Sequence, residues 1–188
     1  MGVEERMADR CNTIRLYSFQ TDVVYQVLKR DGVCYSKEEY VRKKYKESAK
    51  VFINAYGWFV KEAQHIVPKP EGAEYPYWAF TDLYNVDQTG DGHVLTLDVP
   101  IGEAILFDMF DWTKIMQMHY IGENESEEAT FSEELKNMGM NEFQIMTSNF
   151  YPEQKARIQE SWKRLFGHQQ AIEAGDNSGV HSVQAGLC

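Results

Sequence analysis

From Ile14 to Phe19 apolar and polar residues alternate (Ile-Arg-Leu-Tyr-Ser-Phe), the period of a half-buried strand. Thr21 then stands where it would cap a helix over Asp22–Arg30, with Val23, Val24, Val27 and Leu28 on one face and Gly32 placed to end it. Ser36 and Glu39 have capping-box spacing, and apolar residues at helical intervals run from Tyr40 to about Ile66, which predicts a long helix broken near Gly57. Its basic run, Arg42–Lys46, reads as a solvated face. Pro68, Pro70, Gly72 and Pro76 interrupt the pattern before an extended aromatic segment, Tyr75–Phe80. After a turn at Gly90-Asp-Gly, residues 93–99 alternate cleanly and stop at Pro100, and a second short apolar strand is expected at Ala104–Phe107. Asp111 is placed to cap a helix carrying Trp112, Ile115 and Met116. A helix opening at Pro152, with Ile158, Trp162, Leu165 and Phe166 inward and Gly167 at its end, precedes a last strand at Val180–Ala185.

Strands and helices without regular alternation, and no repeat of 20–50 residues, predict an α+β fold. The chain has 188 residues. That is room for one domain: 1–13 read as a flexible lead-in and 14–188 as a single α+β domain of small mixed or antiparallel sheets with flanking helices. An apolar strand so near the last residue leaves two readings, a final element or a chain cut short. Aromatic residues make up 13% of the sequence, so rings should dominate the core and could line a pocket.

Charge narrows the partners. A net charge of −10 disfavours a surface built to coat nucleic acid, although a nucleic acid or protein could still be a target. Six Glu and no Lys or Arg lie between Gly122 and Glu134, which reads as an exposed acidic loop leading into a short helix near Ser132–Met138. Such a loop could meet a basic partner protein. Cys11, Cys34 and Cys188 lack paired spacing and read as reduced thiols of a cytoplasmic protein; no membrane segment is expected. No metal is expected either: the five histidines lack ligand spacing. Asp87–Asp98 mimics a calcium loop but has strand period after it and no Glu at position 12. Dinucleotide glycine fingerprints, phosphate loops, zinc-protease and nucleophile-elbow motifs are absent from the sequence.

Tyr17 through Thr21 at a strand end, the Tyr77–Phe80 rings and the strand ending at Pro100 could together hold a nucleotide, with rings stacked on a base and Gln20 and Thr21 contacting ribose or an amide. The other reading makes the rings core and the polar pair a turn and a cap.

Two resemblances attach to these residues. Leu16-Tyr17 with Gln20, Pro76-x-Trp78-Ala79, Leu95–Pro100, Leu106-x-Asp108 with Trp112, Ser161-Trp162-x-x-x-Phe166 and Val183-Gln184-Ala185 resemble a bacterial family, domain of unknown function 3841, over nearly the whole chain. More distantly, Leu16-Tyr17 through Thr21, Leu28 to Gly32 and Val94 to Pro100 are similar to pieces of the ADP-ribosyltransferase superfamily in the same order. That resemblance implies a cleft for NAD, with Tyr17, Gln20 and Thr21 beside it and Trp78 stacking, and a transferase that moves ADP-ribose or hydrolyses NAD. It departs at Ser18, where the superfamily has His or Arg, and at Gln184, where it has a catalytic Glu. Gln184 or Glu142 would then orient the ribose; Glu142 supplies a carboxylate if its segment is a cleft strand and is otherwise solvent-facing. The alternative is a non-catalytic nucleotide-binding module, because a neutral amide lacks the charge that stabilises an oxocarbenium ion.

Overall fold

A computed structural model describes residues 13–187. The expected lead-in, apart from Thr13, lies outside the described residues, as do Cys11 and Cys188. Residues 13–187 form a single small α+β domain around one five-stranded antiparallel sheet, rather than several small sheets. Its strands are β1 (Thr13–Thr21), β2 (Tyr77–Phe80), β3 (Gly92–Pro100), β4 (Ile105–Asp108) and β5 (Val183–Leu187), in the order β3-β1-β2-β5-β4.

The alternation legible in the sequence sorts side chains onto two sheet faces. On one, Leu16, Ala79, Leu106, Val183 and Ala185 form an aliphatic layer closed by Ile172 of a short helix, α8 (Gln169–Glu173). On the other, Ile105, Phe107 and Trp78 enter the larger, aromatic core. There α3 (Ala49–Ala63) lays Phe59 over the sheet, and α4 (Met109–Met116) adds Trp112 and Ile115. Phe59 is fully buried, with Trp78, Phe107 and Trp112 at ring-centre distances of 5.1, 5.6 and 5.4 Å. The close approach of α3 depends on a glycine: a Cβ on Gly186 would lie 2.6 Å from the Phe59 ring.

Helix boundaries show what local pattern could not decide. Helix α1 (Asp22–Asp31) matches its prediction and ends at Gly32, whose φ of 77° is left-handed, with its N–H bonded to the Leu28 carbonyl. Thr21 occupies its N-cap position but makes no side-chain capping bond. The predicted Ser36–Glu39 box does not form. Ser36 bridges Tyr75 instead, and α2 (Glu38–Tyr45) is capped from outside when the Glu38 N–H donates to Glu74 Oε2 at 2.8 Å. The long helix breaks at Lys46, with φ of 50°, and Gly57 sits uneventfully inside α3. Asp108, not Asp111, caps α4, accepting from the Phe110 N–H at 3.0 Å.

The acidic stretch departs furthest from its predicted form. It is not a loop but part of α5 (Glu125–Asn137), begun by the Asn124 side chain accepting from the Glu127 N–H. Early carboxylates suit a helix N-terminus, and cations arrive from elsewhere: Lys114 to Glu128, Arg157 to Glu134, and Arg164 to Glu123 and Glu127. A short helix not foreseen, α6 (Glu142–Thr147), starts with an Asn141/Gln144 capping box. The predicted Pro152 helix is α7 (Pro152–Ser161), and it tightens into a 3-10 turn over Trp162–His168.

Because Phe59 is walled in, Gly186→Ala should destabilise the fold by about 1–3 kcal/mol through overpacking, read as a lower urea midpoint at unchanged slope. An unchanged midpoint would mean that α3 can shift away from β5 without cost.

Candidate functional site

Register decides which predicted site residues meet. Thr96, Tyr17, Phe80, Gln184 and Phe107 are successive cross-strand partners, so they share the aromatic face, and Trp78 is two residues from Phe80 on that same face. Two strand spacings put Tyr17 and Gln184 about 10 Å apart. Gln20 points to the opposite face, where its side-chain amide donates to Ser18 Oγ at 2.8 Å, and Ser18 donates to the Trp78 carbonyl at 2.7 Å. Thr21, at the end of β1, is exposed. The six candidates therefore divide: Tyr17, Trp78 and Gln184 come together, Gln20 and Thr21 stand apart from them, and Glu142 belongs to a different polar centre.

Within the first group the environments differ. Trp78 is half-buried and engaged, 4.5 Å from Trp112 and 5.2 Å from Tyr56, so its ring is part of the core wall. Tyr17, Phe19 and Phe80 are half-buried, and Val94 and Thr96 beyond them are exposed, so this side of the sheet opens toward solvent from β2 to β3. Gln184 is only 4% exposed, yet its side chain makes no hydrogen bond with any described residue. Among the described residues no fully enclosed side-chain nitrogen or oxygen lacks a partner, so the Gln184 amide reaches the edge of its enclosure. A nearly buried amide whose donors and acceptor have no partner among the described residues is able to bind a ligand that carries its own amide or base edge.

Glu142 lies neither in a cleft strand nor in open solvent. Its carboxylate, at the start of α6, takes the His119 Nδ1–H on Oε2 at 2.5 Å and the Tyr120 N–H on Oε1 at 3.1 Å. That hydrogen bond holds the His119 imidazole above its ordinary pKa against the opposing effect of burial. The position of His119 is fixed further by Trp162, whose indole N–H donates to its carbonyl, and by buried Met118 in a left-handed conformation (φ of 63°).

A second carboxylate–imidazole pair closes the end of the sheet. Burial works against the charge on Asp108, but His181 Nδ1 at 2.7 Å and the N–H groups of Phe110, His181 and Ser182 outweigh it and hold the carboxyl below the usual range. Asp111 goes the other way, raised by its own burial and then by the nearby charge of Asp108. The spacing of the histidines along the chain shows no ligand pattern. No local signal could have found the pairs, whose members lie 23 and 73 residues apart.

A shallow groove of about 340 Å³ lies elsewhere, along α5 between Tyr120, Phe131 and Arg157. Tyr120 stacks on Phe131 at 4.4 Å, and Arg157 covers that ring at 4.7 Å. Four of the six acidic side chains of 123–134 share three cations from other elements, Lys114, Arg157 and Arg164, so about half of the stretch's formal charge is met from outside it. Among the described residues no group of His, Cys, Asp or Glu has the geometry of a metal site, and no helix is long and apolar enough to cross a membrane.

These features define an α+β domain with a partly open aromatic sheet face and, at its boundary, a nearly buried amide without a partner among the described residues. The chain belongs to the family described as Domain of unknown function (DUF3841), whose model matches residues 15–187. No curated protein and no solved structure matches it.

Replacing Glu142 with Gln keeps an acceptor for Tyr120 but removes the charge beside His119. The His119 titration midpoint, followed by NMR, should fall toward its ordinary value of about 6.5. A raised imidazole pKa stabilises the fold fully below that ordinary value and stops doing so as pH climbs through the raised one, so the destabilisation by E142Q should be larger near pH 6 than near pH 9. An identical midpoint in both proteins would show that the ion pair does not govern His119.

Proposed function

We propose that the chain is a nucleotide-binding protein of ADP-ribosyltransferase-like character, with NAD or a related nucleotide bound on the aromatic face beside Gln184. The observation that carries this reading is the 4% exposed Gln184 amide without a partner among the described residues, in one cross-strand row with half-buried Tyr17 and Phe80. A carboxamide such as that of nicotinamide, or the edge of a base, would pair with it, while Tyr17 and Phe80 offer ring surface. Trp78 supports the wall from within the core, and Gln20 and Thr21 take no direct part.

Binding without bond cleavage is the form of the proposal that chemistry favours. Departure of nicotinamide builds positive charge on the ribose, and an anion close to it lowers that barrier. The cross-strand neighbours of Gln184 are Phe80 and Phe107, and both oxygens of Glu142 are occupied by His119 and Tyr120. Neither Glu142 nor a cross-strand neighbour of Gln184 supplies that anion, so ADP-ribosyl transfer or NAD hydrolysis would need a different carboxylate.

Titration calorimetry with NAD, ADP-ribose and nicotinamide tests the reading. Gln184→Ala should weaken the bound ligand about tenfold, the worth of one hydrogen bond of about 1.4 kcal/mol, while its circular dichroism stays unchanged. Free nicotinamide above the protein-free blank would move the assignment to a transferase or hydrolase. Absence of heat and of thermal shift with every nucleotide would refute it.

A further inference from the structure

The sheet has two edges, and the chain treats them differently. On the β4 edge the side chain of Gln169, 5% exposed, completes the ladder: its Oε1 accepts from the Leu106 N–H at 2.5 Å and its Nε2 donates to the Ala104 carbonyl at 3.1 Å. The β3 edge has no such cover among the described residues. β3 is nine residues long and pairs on one side only, with β1, in nine consecutive pairs from Thr13↔Pro100 to Thr21↔Gly92 without a bulge. It carries no Lys or Arg, its one proline is the last residue, and its one carboxylate, Asp98, is engaged by Arg15 at 2.8 Å. Among the described residues the edge lacks the usual devices that keep a strand from pairing.

The side chains of β3 suit a strand of their own sequence. Thr96 is the midpoint of Gly92–Pro100, so an antiparallel pairing of two copies about Thr96 aligns all nine residues. It sets Leu95 opposite Leu97 and His93 opposite Val99 on the aliphatic face, and Thr96 opposite Thr96 on the aromatic face. Leu95, Leu97 and Val99 are half-buried within one chain and would gain cover from their counterparts. The contact extends onto α1, which packs beside β1 and β3, buries no residue, and leaves Val23 74% exposed; Val94 is 37% exposed on the other face. No cation lies on the edge to repel its symmetry mate.

We propose that β3 is the interface of a two-fold homodimer, in which two copies join edge to edge, antiparallel about Thr96, into one continuous ten-stranded sheet. Its occupant is a second copy of this chain, chosen by the self-complementary pattern. A symmetric interface needs only one patch that complements itself, and an added strand gains main-chain hydrogen bonds along its length.

Sedimentation equilibrium of the full chain should give twice its mass of 21.8 kDa. Thr96 is exposed in the single chain, so Thr96→Lys should leave the circular dichroism unchanged while raising the dimer dissociation constant at least tenfold, because it sets two ammonium groups face to face. With the native cysteines replaced by serine, Thr96→Cys should form an intermolecular disulfide on oxidation, whereas Val94→Cys, which faces Asp98 in this register, should not. A wild-type chain that stays monomeric at about 100 μM, as it would if another segment of the chain covered the edge, overturns the proposal. So does a dimer indifferent to Thr96→Lys, or one that cross-links at position 94 rather than 96.

Discussion

The contact on which the fold turns is the seat of Phe59 against Gly186. Without a side chain on β5 at that point, α3 comes close enough to place a fully buried ring on the sheet, and Trp78, Phe107 and Trp112 gather around it. Each ring brings a large apolar area out of water, and the edge-to-face geometry adds a smaller directional gain. Strands β2, β4 and β5 and helices α3 and α4 are thereby tied to one point. This is also why Trp78 cannot swing freely as a stacking surface: its faces belong to the core.

The same packing leaves the other half of that sheet face uncovered. α3 and α4 sit over β2, β5 and β4, whereas Tyr17, Phe19 and Phe80 stay half-buried and Thr96 and Val94 reach solvent. Gln184 lies at the boundary, enclosed by neighbouring rings but without a bond of its own among the described residues. Elsewhere, buried polar groups are fully engaged. Asp108 ties the start of α4 to His181 and Ser182, Glu142 fixes the turn at His119 and Tyr120, and Gln169 completes the β4 ladder. Fully enclosed polar atoms without partners are costly, and the Gln184 amide, which has no partner among the described residues, avoids that cost by reaching the edge of its enclosure.

Charge illustrates how local composition misleads. Read alone, the 122–134 stretch is an acidic loop, because a run of carboxylates repels itself and contains no cation. In the folded chain Lys114, Arg157 and Arg164 come from 14, 23 and 41 residues away in sequence and turn the stretch into the first turns of an ion-paired helix. Exposed pairs of this kind are individually weak. Their effect here is to spend the charge internally rather than to hold the fold together.

Local pattern along the chain specifies the α+β class, strands β1, β3 and the aromatic β2, helix α1 with its glycine stop, the proline-led α7, and the motifs of the family. These signals are local: alternation of period two, helical spacing, and residues whose backbone preferences act within a few positions. The single sheet and its strand order, the cap of α2 by Glu74, the break at Lys46, and the carboxylate partners of His119 and His181 emerge only on folding. So does the division of the candidate site, since Tyr17 and Gln184 share a face while Gln20 does not. Register, burial and ion pairing are set between segments 14 to 102 residues apart, whose pairing a local pattern does not encode.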